Sequence, residues 1–148
     1  MSSTPFIVKP GDRGAALHVI GTQINVLTAG ADAQAPQITL QSGEEGMGPP
    51  PHSHAWDESF YVTRGQVQFT CAAETTMCVA GTLVHVPGGT VHAFSYGPGG
   101  GEMIEITGAG SGAVKMFRML DREVPPGPPD IPKVIQVLAD CGVRVHVD

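Results

Sequence analysis

The sequence predicts an antiparallel all-β sandwich or barrel, preceded by an extended arm and closed by one C-terminal helix. Twenty glycines and 13 prolines in 148 residues punctuate the chain too often for a helical bundle. Between residues 17 and 118 the apolar residues fall into short runs separated by Gly, Pro or Asx punctuation, the spacing of strands joined by turns. Beyond residue 125 the apolar spacing changes to that of a helix. Hydrophobic residues make up 41% and charged residues 15% of the chain, a balance that buries one core without disulfide help. Residues 1–148 therefore read as a single domain, with an arm at 1–15, a barrel at 16–120 and a helix and tail at 125–148.

In chain order, Pro5, Pro10 and Gly11 mark the arm, and Leu17 to Thr28 alternates as an early strand. A loop from Ala29 to Ala35 leads to a short strand at Gln37 to Gln41, and the Gly/Pro-rich stretch Gly43 to Pro51 excludes helix. Strands are then expected at Glu58 to Thr63, Gln66 to Cys71, Thr76 to Val79, Leu83 to Val86, Val91 to Tyr96, Met103 to Thr107 and Ala113 to Arg118. Pro125 to Pro129 is a linker. Asp130 is a candidate N-cap, and Ile131, Val134, Ile135 and Leu138 fall at helical spacing until Gly142 ends the run. Val143, Val145 and Val147 alternate with polar residues, which suits an edge strand.

Charge narrows the partners. The net charge is −6, and Arg64 is the single basic residue between Arg13 and Lys115, so no basic stripe exists for nucleic acid. No apolar run is long enough to cross a membrane and the N-terminus lacks the order of a signal peptide, so a cytoplasmic location is expected. Cys71, Cys78 and Cys141 are odd in number and lack CxxC spacing, which suits reduced core thiols. The reading leaves open whether Cys71 and Cys78 face each other across a hairpin.

Two stretches carry chemistry. His52, His54 and Glu58 share one parity, so a roughly continuous strand would point two imidazoles and a carboxylate to one interior. A tight turn at Pro87 to Gly89 then brings His92 into the next strand. Three His and one Glu suit one divalent transition metal ion such as Fe, Mn, Co, Ni, Cu or Zn, and are too nitrogen-rich for Ca or Mg. His18, His85 and His146 lack such partners and read as structural or surface residues. Trp56 and Asp57 read as a bulge or turn that lets Glu58 reach back to the metal. By the same parity Phe60 and Val62 follow Glu58 inward, and Phe94 and Tyr96 follow His92. Phe60, Phe94 and Tyr96 thus either line a substrate pocket or form barrel core. With no Arg or Lys near the metal, a neutral, oxygen-bearing and fairly hydrophobic substrate is expected rather than a phosphate or carboxylate.

Both stretches resemble the two motifs of the cupin superfamily. Gly46, His52, His54, Glu58 and Gly65 match G-x5-H-x-H-x3-E-x6-G, and Gly81, Pro87, Gly89 and His92 match G-x5-P-x-G-x2-H. The resemblance implies a cupin (jelly-roll) β-barrel over about residues 36 to 118, with His52, His54, Glu58 and His92 as metal ligands. After three further residues the family often has Asn, where this chain has Tyr96. Within the superfamily the pattern is similar to small quercetin 2,3-dioxygenase-like proteins, through Glu-Ser-Phe-Tyr-Val at 58–62, Val-Pro-Gly-Gly-Thr-Val-His-Ala-Phe at 86–94 and the Pro-Asp-initiated helix. That likeness implies a metal-dependent dioxygenase acting on an enolic or phenolic, flavonol-like molecule and dioxygen. Glu58 would be ligand and base, and Tyr96 a candidate hydrogen-bond donor. A metal-dependent lyase, isomerase or cyclase, or a noncatalytic small-molecule binder, remains as an alternative. The resemblance also implies a homodimer, with the arm as a means of pairing.

Overall fold

The computed structural model describes residues 4–29 and 35–146. The elements are β1 (Leu17–Val19), β2 (Thr22–Ala29), β3 (Gln37–Gly43), β4 (His52–Ser53), β5 (Glu58–Cys71), β6 (Glu74–Val79), β7 (Leu83–Val86), β8 (His92–Thr107), helix α1 (Ala113–Glu123), helix α2 (Ile131–Asp140) and β9 (Arg144–Val145), with a 3-10 turn at Pro10–Asp12. All described strand pairs are antiparallel, and the order is β1-β2-β3-β8-β4-β9, with β5 also pairing β6, β7 and β8. This curled sheet with its helices is a cupin jelly-roll.

The curl comes from two long bent strands. The first half of β5 pairs with the last part of β8, from Glu58 opposite Thr107 to Gly65 opposite Gly101. Its second half pairs with the start of β8, from Val67 opposite Tyr96 to Cys71 opposite His92. The ladder shifts register on both sides of Gly65, and such bulges increase local twist and bend a strand. Gly65 has φ +67°, and a Cβ there would collide with the Gly100 carbonyl, so this bend needs glycine. The expected strand pairs Glu58 to Thr63 with Gln66 to Cys71, and Val91 to Tyr96 with Met103 to Thr107, are therefore continuous strands that cross from one face of the barrel to the other.

Two expectations need correction. Leu17 to Thr28 is a hairpin rather than one strand, turning at Ile20 and Gly21, both with positive φ. Ala113 to Arg118 is the start of a helix rather than a strand, so the barrel strands end before residue 113 and two helices follow instead of one. The buried set Ala113, Val114, Met116, Phe117 and Leu120 follows a 3.6-residue period, which a short apolar run does not reveal until its flanks are included. The stretch through His52, His54 and Glu58 is interrupted, with a bend at Ala55 and Trp56 between β4 and β5 where a bulge or turn at Trp56 and Asp57 is expected. Helix α2 starts as expected, with the Asp130 carboxylate accepting from the Lys133 amide at 3.2 Å. The tail forms β9, and Val147 lies outside the described residues. Cys71 lies opposite Glu74 and Cys78 opposite Val67, and the three thiols are free. No helix among the described residues is long and apolar enough to cross a membrane.

The core has two parts. Inside the barrel, Phe60, Val62, Val67, Phe69, Cys78, Val86, Phe94, Tyr96 and Met103 pack together, with the Phe60, Phe69 and Phe94 rings 5.0 to 5.9 Å apart. Over the barrel, α1 and α2 pack with Val19, Ile24 and Val143 into a second apolar cluster that Trp56 joins. Helix α1 has no side-chain cap of its own. Gln37 of β3 supplies one: its amide donates to the carbonyls of Ala109 (3.2 Å) and Ser111 (2.8 Å) and accepts from the Val114 amide (3.0 Å).

Candidate metal centre

The site lies between these two cores. Glu58 begins β5, His92 begins β8, and His52 in β4 pairs directly with His92. Tight backbone contacts bring the two ligand stretches together. The Gly89 amide donates to the His54 carbonyl at 2.8 Å, and the Gly88 amide donates to the Asp57 carboxylate at 2.7 Å. A Cβ on Gly88 would fall on the Ala55 carbonyl oxygen, so the turn after β7 can approach this closely only as glycine. From the other side β9 pairs with His52 and Ser53, and the His146 ring shares a 2.7 Å hydrogen bond with the Ser53 hydroxyl.

The four side chains converge. One potential ligand atom from each of His52, His54, Glu58 and His92 lies within 4.8 Å of every other. Nδ1 of each imidazole is engaged by a backbone carbonyl: His52 with Pro50 at 2.9 Å, His54 with Trp56 at 3.0 Å and His92 with Thr90 at 2.8 Å. Such a bond places the proton on Nδ1 and leaves the Nε2 lone pair free for a ligand, the arrangement that fixes metal-binding histidines. Nε2 of His54 and of His92 lie 3.4 and 2.6 Å from Glu58 Oε1. The His92 contact is short, yet its angle is not that of a hydrogen bond. Three nitrogen lone pairs facing a buried carboxylate repel unless a cation stands among them, so the residues fit a divalent transition ion.

Electrostatics agree with the geometry. Burial, with His92 adding to it, lowers the His52 pKa to about 4, so this ring stays neutral. Burial opposes ionisation of Glu58, but the adjoining His54 and His92 rings outweigh it and hold the carboxyl at about 2. Burial likewise opposes charge on His92, but the adjoining Glu58 raises its pKa above the ordinary value.

A cavity opens at the ligands between barrel and helices. Phe60, Phe94, Ile24 and Trp56 form walls, Met116, Phe117, Leu120 and Leu138 of the two helices form a roof, and Thr22, Gln41 and Glu105 add polar groups. Neither Lys nor Arg lines it; Arg64 lies on the surface, 3.9 Å from Glu102. Phe60 and Phe94 thus belong to both core and cavity. Tyr96 is 1% exposed, packs edge-on against Phe94 and is absent from the cavity lining. Of the other histidines, His18 and His85 are exposed, away from the ligand cluster, and His146 only braces Ser53.

Sequence reasoning missed two residues. Glu105 is buried beside Glu58, and burial, then the Glu58 charge, raise its pKa well above the ordinary value, favouring its protonated form. Its parity with Met103 was visible, but alternation alone does not say which face of the strand is enclosed. Asp57, read as part of a bulge or turn, is exposed in the irregular stretch before Glu58 and also latches the second ligand stretch to the first, a contact that an acidic residue beside a bend does not signal.

Comparison with known proteins yields three kinds of likeness. Residues 38–106 match a family model described as a cupin domain. A 43-residue stretch is 40% identical to an uncharacterized protein of Streptomyces coelicolor, covering 29% of this chain and 41% of that protein. The match therefore spans about two fifths of that relative's length. Among solved structures, the polyketide cyclase RemF of Streptomyces resistomycificus has TM-score 0.62 at 21% identity, covering 72% of this chain and 80% of RemF. An RmlC-like cupin of Shewanella frigidimarina has TM-score 0.63 at 16% identity, covering 74% and 95%. KdgF from a Halomonas species has TM-score 0.61 at 17% identity, covering 71% and 94%. These likenesses carry the fold.

Proposed function

From the cupin domain of this chain, whose solved neighbours support its place in the cupin superfamily, we propose a metal-dependent dioxygenase acting on a neutral enolic or phenolic, flavonol-like molecule. The observation that carries the reading is the four-ligand cluster opening into an apolar cavity that no Lys or Arg lines. His52, His54, Glu58 and His92 would hold the ion. When bound, a divalent transition ion supplies Lewis acidity toward a substrate oxygen and, if redox-active, access to dioxygen chemistry.

The remaining work falls to side chains. Glu58 can accept the enol or phenol proton at a carboxylate oxygen, and Glu105 beside it supplies a second carboxyl on the same wall. Phe60 and Phe94 wall an apolar ring, and the side chains of α1 and α2 exclude water above it. Tyr96 is buried outside the cavity lining, so no role toward a bound oxygen falls to it. The two carboxyls also favour a second reading, a lyase, isomerase or cyclase that moves protons without dioxygen.

The test is elemental analysis of wild type and His54→Ala purified without chelator, with oxygen uptake measured on a flavonol. Stoichiometric transition metal lost in the variant, together with metal-dependent oxygen uptake, supports the dioxygenase. Metal without uptake, but with turnover of an enol under nitrogen, selects the second reading. A wild type that neither holds nor takes up metal overturns both.

The partner is a second copy of this chain. Leu40, Ile104, Tyr61 and Leu83 stand in register across β3, β8, β5 and β7 on the outer face of the sheet, with Ile38 and Ile106 beside them. Tyr61, Leu83 and Ile106 are 45%, 65% and 42% exposed. An apolar row of this kind meeting its own copy about a twofold axis is a self-complementary interface. The exposed, apolar Phe6, Ile7 and Val8 of the arm add surface that a partner would cover.

A further inference from the structure

We infer that Ile20 is a specificity-determining residue at the mouth of the metal cavity, the side chain whose width decides which ligands enter. This rests on the reading of an enolic or phenolic substrate. Ile20 and Thr22 line both the inner cavity and a second, open groove on the surface. The two spaces adjoin on three further sides: Gln41, Pro49 and Leu120 line the cavity, while Ser42, Gly48 and Val124, one residue or one helical turn away, line the groove. The groove measures about 620 Å³ and the cavity about 60 Å³, so the route inward narrows at the residues they share. Of those two, Thr22 is 3% exposed and paired on both sides, with Val19 and Gly43, whereas Ile20 stands half-buried at the tip of the turn.

The backbone at Ile20 singles it out. With Val19 opposite Thr22, Ile20 and Gly21 are the two central residues of a hairpin turn, at φ +48° and +74°. A turn with both central residues at positive φ favours Asn-Gly or Gly-Gly, and a β-branched side chain there crowds the backbone. Turn formation therefore does not account for isoleucine, and the place of its side chain does: it packs against the helix cluster and is held over the mouth. The frame around it is anchored. The His18 amide donates to the Asp121 carboxylate of α1 at 2.8 Å. Met47 packs over Gly21, and its loop is tied to β8 by the Gly46 amide to the Tyr96 carbonyl (2.8 Å) and the Tyr96 amide to the Met47 carbonyl (2.9 Å). With the backbone fixed on both rims, side-chain size at position 20 sets the width of the passage.

Two phenols of different width, 4-methylphenol and 3,5-dimethylphenol, test this by stopped-flow mixing with zinc-loaded protein. Emission of Trp56, the single tryptophan of the chain and part of the cavity lining, follows their entry. Glycine suits the turn at position 20, so Ile20→Gly keeps the fold while removing the side chain. Ile20→Gly should raise the association rate of the wider phenol about tenfold and that of the narrower one less than about twofold. Dissociation should rise in step, so that each Kd changes less than about threefold, because a passage alters both directions alike. An unchanged association rate for the wider phenol overturns the inference alone. So does a change confined to dissociation, the mark of a residue that is only cavity wall. Failure of both phenols to bind wild type and variant overturns the substrate reading, and this inference with it.

Discussion

At the scale of the residue, the site is a set of lone pairs held in place by backbone carbonyls. Among the candidate ligands, a proton competes for His92 more effectively than for His52, because Glu58 raises the His92 pKa while His52 stays neutral down to about pH 4. Metal binding must displace that proton, so affinity for cobalt or zinc should fall as pH drops through the raised His92 pKa, and fall more steeply near pH 4, where His52 takes up a proton as well. Competition titrations with a chelator across pH 4 to 8 would show this; affinity flat over the range would contradict it. Asp57→Ala removes the carboxylate that holds the Gly88 amide and should cost about 1 kcal/mol of stability. Metal affinity should drop with it while all four ligands remain. Thermal melts with and without zinc separate the two effects, since loss of the latch should shrink the stabilisation that zinc confers.

At the scale of the element, the helical roof is attached to the barrel by a few contacts that can be broken singly. Gln37→Leu would leave the carbonyls of Ala109 and Ser111 and the Val114 amide without their side-chain partner, a loss of about 2 kcal/mol measurable by urea denaturation. Phe117→Ala opens a hole in the roof and should cost about 3 kcal/mol, with faster quenching of Trp56 emission by acrylamide. Unchanged quenching would mean that α1 does not shield the site. Strand β9 braces β4 from outside through Ser53 and His146, so the chain's last described strand supports its first metal ligand.

At the scale of the whole molecule, the outer apolar row across β3, β8, β5 and β7 predicts a dimer that Leu83→Glu converts to monomer in sedimentation velocity, with metal content unchanged. A wild-type monomer at tens of micromolar would overturn it. The same row explains which parts of the molecule were legible beforehand. His52, His54, Glu58 and His92, the strand segments from β3 to β8, and the capped start of α2 could all be read from spacing, because ligand chemistry and turn residues are local. Alternation in β3 and β8 separates two faces but does not say which is enclosed. The apolar face of Ile38, Leu40, Ile104 and Ile106 turns outward, while Thr39, Gln41, Glu105 and Thr107 turn in. Helix α1 was likewise illegible as helix from its first residues, because a short apolar run fits either period and only packing over the barrel chooses one. The sequence by itself therefore determined the cluster of His52, His54, Glu58 and His92 that could hold a metal, and the β-strand frame. Only the tertiary structure decided the cavity, since its walls are residues far apart in the chain whose buried side is set by what packs across from them.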